Sequence, residues 1–444
     1  MAKRRQKQRK KSKLARPELA PVGEASAPPR RDQSGGVAIT GLGLICGLGV
    51  GVEACWEALR AGRSGLRPIS RFPVEGHLAG RGGEAPALPG APEDPRDRAH
   101  HALTEACREA LAASGRETFD YAQRAGLVLG SSLAAQASAP RFWASLLEAG
   151  PDAAAMDDLR CYDVENRLSD LAWRFHCLGE SLLVSNACAA GASALGVAAD
   201  LIRLGRADAA LVAGYDALDL HTHAGFGAIK ALDPAGPRPL APDRAGMLLG
   251  DGYAAFVLEP YHRVRSAGRP VLARLLGYGE SADAHHLTQP DPQGAGAALA
   301  MERALTDAGL TPERIDAVNL HCTATPTNDA AEVAAMRAVF GARLETLPLF
   351  ATKPAVGHTL GGAGALEAAV ALLALRAQTL PATLGAEGGL DPALGLLDLV
   401  GEARPGPLRV VMSNSFGFGG CNASLIFELG PPPRPGKKGG RAAR

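Results

Sequence analysis

The residues best suited to covalent chemistry lie in Ser185-Asn-Ala-Cys188-Ala-Ala-Gly191. A short apolar run over residues 182–185 ends here, and a small-residue helix over 188–204 begins. The positive end of a helix dipole favours thiolate, and small neighbours leave room for a substrate. On these grounds Cys188 is either a covalent nucleophile with a lowered pKa or a small core residue, free cysteine being among the most buried types. Asn319-Leu-His321-Cys-Thr323-Ala-Thr325 ends a second apolar run. A histidine there faces the crevice beyond the carboxyl ends of strands, where α/β folds bind ligands, although a lone histidine is as readily structural. In a third segment Lys353 and His358 flank a turn, Gly and Ala follow, and Glu367 lies further into a helix. The alternative is an ordinary helix start with a surface Lys–Glu pair. It is not a phosphate loop, because the lysine precedes the glycines and no G-x-x-x-x-G-K-[ST] occurs. The fourth segment, Ser413-Asn-Ser-Phe416-Gly-Phe418-Gly-Gly420, turns through glycines whose backbone N–H groups suit an oxyanion.

These segments need a scaffold of strands and helices. Apolar runs at 37–44, 125–129, 182–185, 209–213, 253–258, 271–276, 317–320, 349–351, 410–413 and 424–427 read as strands. Helical patterns fall at 52–61, 97–113, 188–204, 298–308, 330–340 and 362–378, and the Gly/Pro-rich stretch 78–99 reads as a long surface loop. Strands alternating with helices predict α/β layers with largely parallel central pairing. The strand-to-helix turns at residues 183–188 and 350–358 share a plan, which suggests duplication of one α/β unit.

The chain has 444 residues, 46% hydrophobic, enough for a large core or two fused ones. No uninterrupted apolar stretch reaches the roughly 18 residues of a spanning helix, and no apolar signal core follows the basic N-terminus. The eight cysteines are scattered without a C-x-x-C pair, which predicts a reduced, cytoplasmic setting and no zinc ribbon. The net charge of +1 hides a division. Residues 1–35 hold eleven basic against three acidic residues, and 434–444 add five basic and none acidic. An acidic body therefore carries two basic tails. The tails are either solvated and without a dedicated partner or attracted to something acidic: a carrier protein, nucleic acid or anionic lipid. Nucleic acid is not the expectation, because no aromatics interleave with the charges, but the N-terminal tail leaves it open.

In this order, the four segments resemble the beta-ketoacyl-acyl carrier protein synthases, closest to the synthase I/II type. Residues 40–43, 56–65, 212–216, 238–244 and 249–252 match as well, so the resemblance runs from about Val37 to Phe427. It implies a thiolase-like α/β fold, two similar halves in a five-layered α-β-α-β-α core. The halves would span 36–260 and 261–428, between the basic tails 1–35 and 429–444. It implies a decarboxylative Claisen condensation that extends an acyl chain by two carbons with malonyl units. Cys188 would carry the acyl group. Backbone N–H groups of Cys188 and Phe418 would hold the oxyanion. His321 and His358 would donate to the malonyl thioester oxygen as neutral imidazoles. Lys353 would supply positive charge, held by Glu367; Thr323 and Thr325 would line the pantetheine end, and Phe418 would act as a gate. The implied partners are an acyl carrier protein, acyl- and malonyl-loaded, and a second copy in a homodimer. No metal or resident cofactor is implied, since the phosphopantetheine arm belongs to the carrier.

Three positions depart from the family pattern. Cys322 stands where glycine is usual, which strains the turn if φ is positive and adds a second candidate redox-sensitive thiol. Asp251 replaces glutamate, which would shift a hydrogen bond near the site, and Cys421 replaces threonine after the glycine turn. The alternatives are a ketosynthase subunit of a specialised polyketide or polyene pathway, or a non-catalytic chain-length-factor-like partner. The last would lack the nucleophile.

Overall fold

The computed structural model describes residues 36–431, apart from 91–94, 121–122, 134–138, 154–155, 157–158 and 160–163. Both basic tails, except residues 429–431, fall outside it. The main strands are β1 (Val37–Cys46), β2 (Ala125–Gly130), β3 (Ser181–Val184), β4 (Ala209–Asp216) and β5 (Gly252–Pro260) in the first half. The second half has β6 (Ala273–Ala282), β7 (Ala317–Leu320), β8 (Pro348–Ala351), β9 (Asp398–Leu399), β10 (Val410–Gly417) and β11 (Cys421–Leu429). The helices used below are α1 (Val52–Arg60), α2 (Pro95–Ala113), α3 (Ala139–Ala149), α4 (Val164–Arg174), α5 (Ala190–Arg203), α6 (Leu220–Ala228), α7 (Ala295–Ala308), α8 (Pro326–Phe340), α9 (Lys353–Val356) and α10 (Ala363–Ala377).

Spatial order in the first half is β1-β5-β4-β2-β3, and in the second β6-β11-β10-β7-β8 with β9 added at the edge. Counted along each half, both orders are first-fifth-fourth-second-third, so one unit is present twice. In each half the last-ordered strands pair in parallel and the first two pair antiparallel. The halves join where β1 meets β6 antiparallel over Val37↔Leu275 to Ile39↔Ala273.

Repetition extends to the glycines. A Cβ on Gly41 or Gly43 of β1 would come within 1.9–2.0 Å of the α2 carbonyls of Ala110 and Ala106. A Cβ on Gly277 or Gly279 of β6 would come within 2.2 Å of the α7 carbonyls of Ala304 and Ala300. The outer helix of each half thus lies directly on the backbone of its first strand. Between the half-sheets run α5 and α10, each touching strands of both halves. Their backbones meet at Gly191 and Gly364, where a Cβ would come 2.6 Å from the amide nitrogens of Ala365 and Ala192. Outer helices, half-sheet, α5 with α10, half-sheet and outer helices make the five layers, and the thiolase-like expectation holds. Residues 360–377 are apolar and long enough to cross a membrane, but they include α10, buried between the sheets.

Strand and helix expectations fall on observed elements, but the expected parallel central pairing is corrected: the central run β4-β5-β1-β6-β11-β10 pairs antiparallel, and parallel pairing is confined to the outer strands of each half. The stretch 78–99 is corrected: Gly82, Gly83 and Ala85 are buried, and Gly83 bonds to Leu249 and Asp251 through its backbone. Helices α3, α4 and α6 did not stand out in the sequence.

Candidate active site

Four strand ends of the two halves converge on one cleft. Cys188 follows β3, His321 follows β7, His358 follows β8, and Phe418 follows β10. β3 and β8 are equivalent strands, so nucleophile and second histidine arise from the same turn of the repeated unit. Cys188 reaches the cleft because Ala187 adopts φ 54° and lifts the chain out of line before α5. A non-glycine residue there costs about 1–3 kcal/mol, which the surroundings must offset. Ser132 Oγ donates to Ala187 O at 2.7 Å.

The sulfur of Cys188 and one nitrogen of each histidine lie within 4.8 Å of one another, all three residues buried. The expected lowering of the Cys188 pKa is not what the structure gives. Burial pushes the thiol up to about 11, opposed by Lys353 and the Phe418 backbone N–H and reinforced by Asp216 and Glu367. Desolvation is the largest cause, and Cys188 stands just outside α5, which begins at Ala190.

Each imidazole is fixed by a donor on its inner nitrogen. The Leu360 N–H donates to His358 Nδ1 at 3.0 Å. Lys353 Nζ lies 3.0 Å from His321 Nδ1, and an ammonium has only donors. In both rings Nδ1 therefore accepts and Nε2 carries the proton. Burial first, then the charge of Lys353, holds both imidazoles well below the usual histidine range. They are two neutral N–H donors at neutral pH. A metal ion would need lone pairs where these rings offer N–H, so the group suits hydrogen-bond donation rather than ligation.

Lys353 lies behind the histidines, off the cleft, where Nζ donates to Glu367 Oε1 at 2.5 Å and His321 O at 2.5 Å. Burial pushes the Glu367 carboxyl up to about 7 against the pull of Lys353. The backbone of His358 is clamped by Leu248 and Gly250: His358 N donates to Leu248 O at 2.7 Å, and Gly250 N to His358 O at 3.0 Å. That explains the 249–252 motif.

Thr323 and Thr325 line the cleft with their hydroxyls 2.9 Å apart, beside Phe416, Asn328 and Met247. Phe418 is half-buried and stacks on Phe226 of α6, centroids 5.8 Å apart and planes 11° apart. The sequence reasoning missed Phe226 and two buried acids, Asp329 and Glu332. Glu332 accepts the backbone N–H of both His321 and Cys322 at 2.8 Å. Asp329 accepts from Leu240 N at 2.9 Å and from the Cys322 thiol at 3.3 Å. Their spacing, i and i+3 on a helix starting at Pro326, was the available signal.

Cys322 does adopt positive φ, 31°, and Ala324 follows at 58°. Its thiol is fully buried, and burial beside two acids pushes its pKa far up, which removes the redox-sensitive character considered for it. Asp251 also takes a different place from that expected. Its carboxylate pairs with Arg71 and accepts from Ala85 N at 2.7 Å and Leu218 N at 2.6 Å, fastening loops outside the cleft. Cys421 is half-buried, opposite Gly417 at the start of β11, and does not line the cleft.

Residues 35–263 match the family "Beta-ketoacyl synthase, N-terminal domain" and 272–387 match "Beta-ketoacyl synthase, C-terminal domain". The 3-oxoacyl-[acyl-carrier-protein] synthase 2 of Coxiella burnetii is 33% identical over 406 residues, covering 88% of this chain and 98% of that protein. Among solved structures, the ishigamide ketosynthase/chain length factor superposes with TM-score 0.83 at 34% identity, covering 90% of this chain and 100% of that one. AntDE:AntF, a type II PKS acyl-carrier protein in complex with its ketosynthase bound to the hexaketide, gives TM-score 0.82 at 26% identity, covering 90% and 100%. The chain belongs to the beta-ketoacyl synthase family, of the synthase I/II type. It is an acyltransferase that forms carbon–carbon bonds, a 3-oxoacyl-[acyl-carrier-protein] synthase.

Proposed function

We propose that Cys188 is the acyl-carrying nucleophile and that His321 and His358 drive decarboxylation of the extender. The observation that carries this reading is the pair of Nε2–H donors held beside the cysteine sulfur. In the first half-reaction the Cys188 sulfur attacks an acyl thioester. Its proton leaves with the departing pantetheine thiol, so a thiol with a pKa near 11 need not ionise beforehand. The tetrahedral oxyanion sits between the backbone N–H groups of Cys188 and Phe418. In the second, a malonyl thioester loses carbon dioxide, and the two imidazole N–H groups hold the enolate oxygen. The enolate carbon attacks the Cys188 thioester, and the thiolate leaves and regains a proton from water. The product is a 3-ketoacyl thioester two carbons longer.

Lys353 fixes the tautomer of His321 and adds positive charge behind the enolate, and Glu367 holds the lysine. Thr323 and Thr325 face the pantetheine arm, and Phe418 opens the acyl side by leaving Phe226. These steps use the chain's own groups, the carrier's arm and a water that returns the proton to Cys188. The carrier is an acyl carrier protein, as in the solved ketosynthase complex. The second partner is another copy of the chain. Strand β3 ends its sheet with Leu183 exposed, α4 beside it exposes Trp173, and the connection between them exposes Leu178.

The test is intact-protein mass spectrometry after incubation with acyl carrier proteins of graded chain length, comparing wild type with Cys188→Ala. An acyl mass on wild type alone supports the reading. An acyl mass on both, or on neither with the protein folded, overturns the role of Cys188.

A further inference from the structure

The loop that presents Cys188 is held from the opposite half of the molecule. Asn186 lies between β3 and the cysteine, immediately before the left-handed Ala187. Its Nδ2 donates to Ser193 Oγ at 2.8 Å and to Glu280 Oε1 at 3.4 Å. The Ser193 hydroxyl, in the first turn of α5, donates to the same Glu280 oxygen. Glu280 stands on β6, and two residues before it Tyr278 lays its ring on α5 at Gly196, where a Cβ would come within 2.3 Å. One strand of the second half therefore grips both the loop and the helix that carry the nucleophile.

The same strand is in register with the other side of the site. Glu280 pairs with Ala423 on β11, and Ala282 pairs with Cys421. The Phe418–Gly420 turn immediately precedes Cys421, and its Gly420 O accepts from Asp283 N at 2.9 Å. The Cys188 and Phe418 amides come from different halves, so the bonds across this boundary set their separation.

We propose that Glu280 is a positioning residue for acyl transfer: through Asn186 and Ser193 it sets the Cys188 sulfur and amide against the Phe418 amide. This rests on the roles given above to Cys188 and Phe418. Both tetrahedral oxyanions, formed on the acyl carbonyl when Cys188 is loaded and again when its thioester is attacked, depend on that spacing. Loss of carbon dioxide from the malonyl thioester depends on the two histidines and does not.

The experiment compares Glu280→Leu, which removes the acceptor, with Glu280→Gln, which keeps an oxygen for Asn186 and Ser193. Acylation of Cys188 from an acyl carrier protein is followed by intact mass, and basal decarboxylation of malonyl carrier protein by carbon dioxide release. Glu280→Leu is expected to slow acylation by about 10- to 100-fold with KM for the carrier unchanged, as for small misplacements of reacting groups. Decarboxylation stays within about twofold, and Glu280→Gln recovers acylation to within about tenfold of wild type, the scale of one hydrogen bond. Acylation as fast as wild type in Glu280→Leu overturns the proposal. So does a parallel fall of both partial reactions with the melting temperature, which marks a merely structural role. Should Glu280→Leu not fold, Asn186→Ala decides by the same criteria. A wild type that takes no acyl group overturns instead the reading of Cys188 on which the proposal stands.

Discussion

Gly417 lies so close to Cys188 that a Cβ on it would stand 2.9 Å from the Cys188 amide nitrogen and 3.1 Å from the Ala187 side chain. Its φ of −112° is open to any residue, so close approach alone demands glycine. Gly417→Ala must push the nucleophile loop and the Phe418 turn apart. Overpacking of this kind costs about 1–3 kcal/mol. The expected result is a lowered melting temperature with acylation of Cys188 slowed at least about tenfold. Wild-type acylation by Gly417→Ala would show that the two segments are not held against each other.

The buried Lys353–Glu367 pair yields a second expectation. Lys353→Met removes the donor on His321 Nδ1 and strands Glu367 in the core, and breaking a buried pair from one side costs about 3–5 kcal/mol. The double variant Lys353→Met/Glu367→Met should regain much of that stability by chemical denaturation. It should not regain malonyl decarboxylation, since the His321 tautomer is then unfixed. Recovery of activity in the double variant would contradict the role given to the lysine.

Glu332 makes stability depend on pH. Burial pushes its carboxyl up to about 7 from an ordinary 4.5, although two backbone N–H groups pull it down. The folded state thus binds the proton more tightly than the unfolded one. Its contribution is full below pH 4.5 and is lost as pH rises through 7. Glu332→Gln cannot ionise. Measured by urea unfolding, wild type should lose up to about 3 kcal/mol relative to Glu332→Gln between pH 5 and pH 8. A difference that stays constant across that range would refute the assignment.

Cys322→Gly trades two effects. Glycine relieves the positive φ, worth about 1 kcal/mol, and forfeits the thiol bond to Asp329, worth about as much. The melting temperature is expected to move by only a few degrees. Native wild type should resist alkylation at this thiol because it is fully buried. Rapid labelling of Cys322 in the folded protein would argue against that burial.

The N-terminal tail yields a prediction from charge alone. Eleven basic residues among the first 35 should speed encounter with an acidic carrier protein. Deleting residues 1–35 should lower the acylation rate at low ionic strength far more than at high. An unchanged salt slope would leave the tail without that role.

Much of the site was legible because its residues sit at strand ends, where a change from apolar run to small residues marks the exit into a crevice. Cys188, His321, Lys353 and His358 could be picked out this way, and Glu367 by its spacing into the helix that follows His358. The pKa of Cys188 could not, because a helix start is visible in sequence while the depth of burial around it is not. Glu332 and Asp329 were hidden for a related reason: on α8 they look like ordinary helix acids until the His321 turn folds over them. Asp251 was misplaced because proximity in a motif was taken for proximity to the cleft. The repeat showed only faintly in sequence, since what the halves share is strand order and glycine seats for outer helices, and few letters.

The contact between α5 and α10 has a consequence for synthesis on the ribosome. The residues that meet there, Gly191 with Ala365 and Ala192 with Gly364, are roughly 170 residues apart in the chain. At about 5–20 residues per second, roughly 10–35 seconds pass between emergence of the first helix and of the second. Throughout that interval the nascent first half carries an uncovered small-residue face, and its β1 edge stays unpaired until β6 (Ala273–Ala282) emerges. Its safe passage depends on whatever shields nascent chains in the cell, and slowing translation between the two helices would lengthen that exposed period.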